Sequence, residues 1–172
     1  MKRRSFALGA VSVGALTAGA GFAFWRSRRG EIDPGSSVDL WTTSFATPDG
    51  ASLAMSSLRG KPLLLNFWAT WCAPCVIEMP LLDVFAQSHA DWNLLALAID
   101  SAEPVRLFTS QRGLRLRVAL ARDTGPDLAR QLGNVAGGLP FSVAFDARGV
   151  ATQRKLGALD EGLLRTWAAS MR

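Results

Sequence analysis

Cysteine and histidine are scarce in this chain of 172 residues, which contains two cysteines, Cys72 and Cys75, and a single histidine, His89. A structural zinc site needs four ligands, usually two Cys or His pairs, and the chain cannot supply them. Covalent c-type haem attachment requires a histidine directly after the second cysteine, where the sequence has Val76. The scarcity therefore excludes two common explanations of a Cys-x-x-Cys pair, and we expect no metal site.

Acidic residues are absent from residues 1–30, which carry six basic ones. The net charge of +5 belongs to this segment, because residues 31–172, with 13 basic and 14 acidic residues, carry a charge of −1. A near-neutral body lacks the basic surface on which nucleic-acid binding depends. We therefore expect no nucleic-acid partner.

Residues 5–25 form an uncharged run of 21 residues behind the basic start. As a helix this run would be about 30 Å long, which matches the hydrocarbon core of a bilayer. Three interpretations fit: an uncleaved membrane anchor, a cleaved secretory signal, and a twin-arginine export signal that begins with Arg3-Arg4. We prefer the anchor, because the apolar run continues past small-residue sites such as Ala18-Gly19-Ala20 to Trp25 and Arg26, a pattern typical of a membrane interface.

The cysteines follow an apolar stretch of the body. Residues 63–68 form an apolar run that predicts a buried strand, and apolar residues recur at helical spacing from Cys75 onward. The cysteines are therefore predicted to lie in the first turn of a helix that follows a buried strand. Free backbone N–H groups and the helix dipole favour a thiolate at that position. Such a pair near a βαβ pattern indicates a redox-active dithiol.

Strands and helices alternate through the rest of the body. We predict strands at residues 40–46 and 52–55 around a Pro48-Asp49-Gly50 turn, then at 92–99, 116–120, 141–145 and 150–156, and helices at about 100–112, 126–132 and 160–171. Strand 116–120 alternates with Arg115 and Arg117, which predicts an exposed or edge strand. The pattern indicates a three-layer α/β domain with a mixed sheet. We assign residues 1–30 to the anchor or signal, 31–37 to a linker and 38–172 to this domain.

Four segments carry a family resemblance: residues 61–75 (KPLLLNFWATWCAPC), Glu78-Met79-Pro80, Gly138-Leu139-Pro140 and residues 145–149. They resemble the active-site strand, the acid after the second cysteine, the cis-proline loop and the terminal hairpin of membrane-tethered TlpA/ResA-type thiol–disulfide oxidoreductases of the thioredoxin superfamily. The resemblance implies a thioredoxin-like three-layer α/β/α fold with a mixed central sheet and an N-terminal β-hairpin extension, preceded by one N-terminal hydrophobic helix.

The resemblance implies a catalytic set of Cys72, Cys75 and Glu78. Cys72 would attack a substrate disulfide and Cys75 would resolve the mixed disulfide, leaving an oxidised pair and requiring no cofactor. Glu78 would tune thiol acidity and relay a proton to Cys75; an ordinary solvated helix acid is the alternative. Asn66 stands where thioredoxin has a buried acid, and Phe141-Ser142 departs from the threonine-rich sequence common in the family.

We assign substrate binding to Trp71, Pro74, Leu139 and Pro140. The resemblance implies a cis Leu139–Pro140 bond, with the backbone of Leu139 offering hydrogen bonds to an extended substrate. Trp71 is expected on the docking surface, with a core tryptophan as the alternative. His89 is interpreted as a cap at the end of the helix.

The implied function is reduction of disulfides in exported proteins, such as apocytochrome c or copper-site proteins, with electrons from a membrane thiol donor and the domain on the periplasmic face of a bacterial cytoplasmic membrane. A disulfide-forming oxidase is the first alternative. Strong oxidants of this superfamily resemble Cys-Pro-His-Cys, however, and Ala73-Pro74 lacks that histidine. A copper-delivery protein is the second, but it would need a wider cysteine spacing and a histidine elsewhere than His89. A peroxidase is disfavoured because Thr70 precedes Cys72 by two residues, not three.

Overall fold

The computed structural model describes residues 40–171; the predicted anchor, linker and residues 38–39 lie outside them. The strands are β1 (Ser44–Ala46), β2 (Ser52–Ala54), β3 (Leu63–Trp68), β4 (Asn93–Ala98), β5 (Arg117–Leu120), β6 (Phe141–Phe145) and β7 (Ala151–Leu156). The helices are α1 (Ala73–Ser88), α2 (Ala102–Gln111), α3 (Gly125–Gln131) and α4 (Glu161–Ser170), with short 3₁₀ turns at Leu40–Thr42 and Met55–Leu58. None of the helices within residues 40–171 has the length and apolar character that crossing a membrane requires.

The strands form one mixed sheet in the order β2-β1-β5-β4-β3-β6-β7. Strands β3, β4 and β5 are parallel, whereas β6 runs antiparallel to β3 and β7 antiparallel to β6. All six residues of β3 are buried, because helices cover both faces of the sheet there. The predicted buried strand and mixed central sheet are confirmed.

The β1–β2 hairpin confirms the predicted N-terminal extension. Its turn contains Gly50 at φ 88°, a backbone conformation that glycine adopts without steric cost. β1 then pairs antiparallel with β5 at Ala46 and Leu120. Of the two alternatives predicted for residues 116–120, an exposed strand or an edge strand, the edge strand was wrong, since β5 lies between β1 and β4. The exposed Arg117 reflects one open face of the strand, and the second hydrogen-bonding neighbour comes from a hairpin far earlier in the chain.

The two faces of the sheet carry separate hydrophobic clusters. Alternation along β3 turns Leu64 and Trp68 toward α1, α2 and α4, and turns Leu65 and Phe67 toward α3 and the 3₁₀ turns. The even-numbered Asn66 therefore lies on the α1 face. This three-layer arrangement places the end of β3, the start of α1 and a polar residue of the central strand close together.

Helix α1 begins and ends as the sequence predicts. Cys72 is its N-cap residue and Pro74 lies in its first turn, where a missing N–H is tolerated. His89 is its C-cap residue; its backbone N–H donates to the Phe85 carbonyl at 3.1 Å, and its ring stacks on Phe85 with centroids 4.2 Å apart. The interpretation of His89 as a helix cap is confirmed.

Candidate active site

A disulfide joins Cys72 and Cys75 at the start of α1, with their Cα atoms 5.3 Å apart. Cys75 is fully buried, whereas Cys72 retains 7% of its surface exposed. The Cys72 carbonyl accepts the Val76 N–H at 3.0 Å, so this cysteine opens a helix of 16 residues. Its sulfur therefore belongs to the positive end of the helix dipole, where a thiolate is stabilised.

The loop before the cysteines is fastened to the neighbouring strand. Oδ2 of Asp100, two residues after β4, accepts the Thr70 N–H at 3.1 Å and the Thr70 hydroxyl at 2.5 Å. Oδ1 of the same carboxylate accepts the Ser101 N–H at 2.7 Å. Sequence reasoning placed Asp100 only at a helix start, because nothing near it in the chain indicates its partner.

A cleft of about 470 Å³ opens beside Cys72. Trp71 and Pro74 form one wall of this cleft and Leu139 belongs to another, with the remaining wall contributed largely by α3 and the loop after it. Trp71 is 70% exposed, which excludes the core alternative. A larger groove between α1 and α4 contains neither cysteine. Three of the four predicted substrate-binding residues thus share one cleft with the more accessible cysteine.

The fourth predicted residue, Pro140, lies behind the cleft wall. The Leu139–Pro140 bond is cis, as expected, and Pro140 is buried while Leu139 is half-buried. The Pro140 carbonyl accepts the Gly157 N–H at 2.8 Å. Among residues 40–171, Leu139 makes no backbone hydrogen bond.

Glu78 lies one helical turn after Cys75 and is only 2% exposed. Its Oε1 accepts the Asn66 side-chain N–H at 2.8 Å, and its Oε2 accepts the Leu159 backbone N–H at 2.7 Å. Burial raises the pKa of this carboxyl above its ordinary value, and the two hydrogen bonds oppose the rise. A solvated helix acid is excluded by this environment.

Asn66 connects Glu78 to a third buried group. Its Nδ2 also donates to the Ser142 hydroxyl at 2.9 Å, because Asn66 of β3 and Ser142 of β6 are register partners. The Oδ1 of Asn66 is buried and has no hydrogen-bond partner within the described part of the chain. Sequence reasoning noted both residues only as departures from related proteins; the alternation of β3 could have placed Asn66 toward the helix that carries Glu78.

Metal ligation has little support around the cysteines. Within residues 40–171, no three His, Cys, Asp or Glu side chains are grouped so that they could hold a metal ion. His89 lies at the opposite end of α1 from Cys75, about 21 Å away at 1.5 Å per residue. The thiols and the histidine therefore belong to different ends of the domain.

The sequence is similar to a known protein family and to known thiol–disulfide oxidoreductases. The Redoxin family model matches residues 34–167. The thiol-disulfide oxidoreductase ResA of Bacillus thuringiensis (strain Al Hakam) is 32% identical over 112 residues, covering 63% of this chain and 62% of the relative. The thiol:disulfide interchange protein DsbE of Pseudomonas fluorescens biotype C is 32% identical over 115 residues, covering 66% and 62%. The chain thus matches less than two thirds of the length of these relatives.

A solved structure shows the same fold. The crystal structure of a thiol:disulfide interchange protein of the thioredoxin family from Chlorobium tepidum TLS superposes with a TM-score of 0.65 at 25% identity, covering 75% of this chain and 92% of that chain. The predicted thioredoxin-like α/β fold with a mixed sheet is confirmed.

Proposed function

The chain belongs to the Redoxin family, and we propose that it is a TlpA/ResA-type thiol–disulfide oxidoreductase that reduces disulfides of exported proteins. One observation carries the proposal: the only two cysteines of the chain form a disulfide at the N-terminus of α1, beside an open cleft. The fold holds the two sulfurs within bonding distance, as a dithiol that cycles between two redox states must be held.

The reaction transfers two electrons from the dithiol to the substrate. In the reduced protein, the Cys72 thiolate attacks one sulfur of the substrate disulfide and the other substrate sulfur leaves as a thiolate, which takes up a proton. The Cys75 thiolate then attacks the Cys72 sulfur of the mixed disulfide and releases the second substrate thiolate, which is also protonated. The products are a substrate dithiol and the Cys72–Cys75 disulfide.

Glu78 is suited to take the proton that Cys75 must lose. Burial raises the pKa of its carboxyl above the ordinary value, which makes its carboxylate a stronger base. Glu78 follows Cys75 by one helical turn on the same helix. We therefore assign Glu78 to deprotonation of Cys75 during the resolving step.

The cleft beside Cys72 fits an extended polypeptide that carries the target cysteine. Trp71 offers an exposed aromatic surface, Pro74 lies next to it, and the backbone N–H and carbonyl of the half-buried Leu139 have no hydrogen-bond partner among the described residues 40–171. A substrate strand can pair with such backbone groups at the Leu139–Pro140 loop. This pairing forms hydrogen bonds with the backbone of the substrate rather than with its side chains, so it suits an enzyme with several protein substrates.

We also propose membrane association and partners, on the basis of the N-terminal segment and of the family resemblance. The basic start and the uncharged run of residues 5–25 support an anchor, or an export signal, that puts the domain on the periplasmic face of a bacterial membrane. Apocytochrome c and copper-site proteins are the substrates that we propose, and a membrane thiol carrier is the electron donor.

The reduction potential of the full chain in thiol buffers tests the proposal and its direction. A two-electron couple at about −250 mV or below, in the range of thioredoxin, supports the reductase. A value of about −120 mV, as in strong periplasmic oxidants, would make the protein a disulfide-forming oxidase instead. Absence of any reversible couple would refute both. The variant in which Cys72 and Cys75 are both replaced by serine is the control, and it must show no couple.

A further inference from the structure

The hydrogen bonds around Glu78 in the buried cluster of Glu78, Asn66 and Ser142 suit only one protonation state of that carboxyl. Both carboxyl oxygens of Glu78 face N–H donors, which suits a carboxylate. The two protons on Nδ2 of Asn66 are both in use, on Glu78 and on Ser142, while the Oδ1 of Asn66 is left without a partner. An unpartnered buried acceptor is unfavourable, and this one lies on the side-chain amide that donates to Glu78.

A protonated Glu78 needs an acceptor that the present arrangement does not offer. The carboxylic O–H would point at an N–H group at either oxygen. The Leu159 N–H is part of the backbone and cannot be reversed. The side-chain amide of Asn66 can be reversed, because its oxygen and nitrogen have nearly the same size. The two atoms exchange places on a half-turn about the last side-chain bond.

We propose that Asn66 is a positioning residue whose amide turns over when Glu78 gains or loses its proton. With the carboxylate, Nδ2 donates to Glu78 and to Ser142, as observed. With the carboxylic acid, Oδ1 accepts the O–H of Glu78 and the hydroxyl proton of Ser142. The Ser142 hydroxyl changes from acceptor to donor by rotation alone. The only covalent bond that is made or broken is therefore the O–H bond of Glu78.

This turnover gives Glu78 a hydrogen-bond partner before and after it moves a proton. An aspartate at position 66 would accept hydrogen bonds only, and as a second carboxylate it would compete with Glu78 for the proton. The inference rests on the proposed thiol–disulfide chemistry for its purpose, since Glu78 must both take and return a proton in each redox cycle. Its geometry depends only on Asn66, Glu78 and Ser142.

Other titratable groups around the cluster are few. On α1 they are Cys72 and Cys75, which do not titrate while they form the disulfide. Lys155 of β7 is the register partner of Ser142 and is exposed, and the exposed Asp160 follows Leu159 and caps α4 through the Leu163 N–H. No ion pair to Glu78 occurs among residues 40–171. The raised pKa of Glu78 fits this isolation.

Nuclear magnetic resonance of the oxidised full chain tests the proposal directly. The carboxyl carbon of Glu78 and the two side-chain amide protons of Asn66 are followed across the titration. We expect both amide protons to move upfield in the same transition as the carboxyl carbon, because turning the amide removes both of their acceptors. The side-chain amide of Asn93, held by the Leu58 carbonyl and by Arg117, is the internal control and keeps its signals.

A carboxyl carbon that titrates while both amide protons of Asn66 stay in place would overturn the proposal, and so would a carboxyl that does not titrate while the protein is folded. Because the measurement uses the disulfide form and needs no turnover, its outcome is independent of the reduction potential that tests the proposed function.

Two variants sharpen the test. In Ser142→Ala one amide proton lacks an acceptor in both states, so only the proton facing Glu78 is expected to move; movement of both would contradict the assignment. In Asn66→Asp the two neighbouring carboxyls cannot easily ionise together, so we expect two separated titration steps that belong to the pair. A single step with the midpoint of the unmodified chain would count against a close contact between residues 66 and 78.

Discussion

Thr70 and Asp100 connect the loop that carries the first cysteine to the strand beside β3: one carboxylate oxygen accepts both the backbone N–H and the hydroxyl of Thr70, at 3.1 and 2.5 Å. The two residues are 30 positions apart in sequence. The contact fixes the chain two residues before Cys72, so the start of α1 is held from β4 as well as from β3. The contact therefore restrains the loop that leads into Cys72.

Asp100→Ala is expected to destabilise the oxidised protein by about 2 kcal/mol, because three hydrogen bonds to a half-buried carboxylate are lost. Urea denaturation measures this change. The exposed Asp91→Ala is the matched control and should change stability by less than about 0.5 kcal/mol. Equal effects of the two substitutions would show that the Thr70 contact contributes nothing to stability.

The pH dependence of stability should carry the signature of Glu78. Burial raises its native pKa above the ordinary 4.5, so the native state keeps a proton that the unfolded chain releases. The contribution of Glu78 to the free energy of unfolding therefore falls as pH rises from about 4.5 through the native pKa, and is constant beyond it. Glu78→Gln cannot ionise and should lack this fall, so the variant gains stability relative to the unmodified chain as pH rises through that range.

Denaturation of the oxidised chain and of Glu78→Gln at several pH values measures the difference between the two proteins. The difference is informative because Asp49 and Asp146 have lowered pKa values and contribute stability with the opposite pH trend in both proteins. Glu103→Gln, at an exposed helix position, should retain the fall. A constant difference at all pH values would mean that the pKa of Glu78 does not change on folding.

The two cysteines should behave differently when replaced singly. Cys75→Ser retains the more accessible sulfur of Cys72 and should accumulate a mixed disulfide with a protein substrate, because no second thiol is present to resolve it. Cys72→Ser leaves only the fully buried Cys75 and should trap at least about tenfold less, since thiol reactivity requires access. Mass spectrometry of acid-quenched mixtures measures the adducts. More adduct with Cys72→Ser would reverse the assigned roles.

Trp71→Ala should lower kcat/KM for a polypeptide disulfide about tenfold, equivalent to about 1.4 kcal/mol, because exposed aromatic side chains are frequent anchors in protein interfaces. Reaction with a small aromatic disulfide should be unchanged, and so should stability, since the side chain is 70% exposed. Ile77→Ala, 77% exposed on α1 but outside the cleft, is the control. Parallel losses for both disulfide substrates would place Trp71 in thiol chemistry rather than in docking.

Asp83 is a second buried acid on α1, and it should prove purely structural. Its Oδ1 accepts the N–H groups of Arg115 and Leu116, each at 2.7 Å, which joins the start of β5 to the helix. Asp83→Ala should lower the free energy of unfolding by about 2–3 kcal/mol and leave the rate of Cys72 alkylation in the reduced protein unchanged. A changed alkylation rate would show that Asp83 also influences the thiols.

The sequence predicts the parts of this fold that depend on local pattern. The buried β3, the helix that begins at Cys72 and the terminal hairpin follow from continuous or periodic apolar runs, which are read within a window of a few residues. The neighbours of β5 in the sheet cannot be predicted from such local patterns. Arg117 gives the same alternation on an edge strand and on an interior strand with one open face. The pairing with Ala46 depends on the path of the chain, not on the sequence of β5.

The same distinction applies to the acids. Glu78 and Asp83 lie five residues apart on one helix, and their burial is decided by backbone N–H groups at Leu159 and at Arg115 and Leu116. Those partners come from elements much later in the chain, so sequence reasoning left Glu78 between two interpretations and passed over Asp83. Family resemblance favoured the buried interpretation of Glu78, and the hydrogen bond from the backbone N–H of Leu159 stabilises the buried carboxylate.

The position of the disulfide at the helix N-terminus ties redox chemistry to folding in a closed thermodynamic cycle. The cycle has four steps: folding of the oxidised chain, folding of the reduced chain, and oxidation of the folded and of the unfolded protein. The free energies of these four steps must sum to zero around the cycle. Any difference in stability between the two redox forms is therefore also a difference between the reduction potentials of the folded and unfolded protein, at about 30 mV for each 1.4 kcal/mol. A thiolate stabilised by α1 makes the folded reduced form more favourable, and every substitution that weakens this helix end will shift the potential of the couple along with the melting curve.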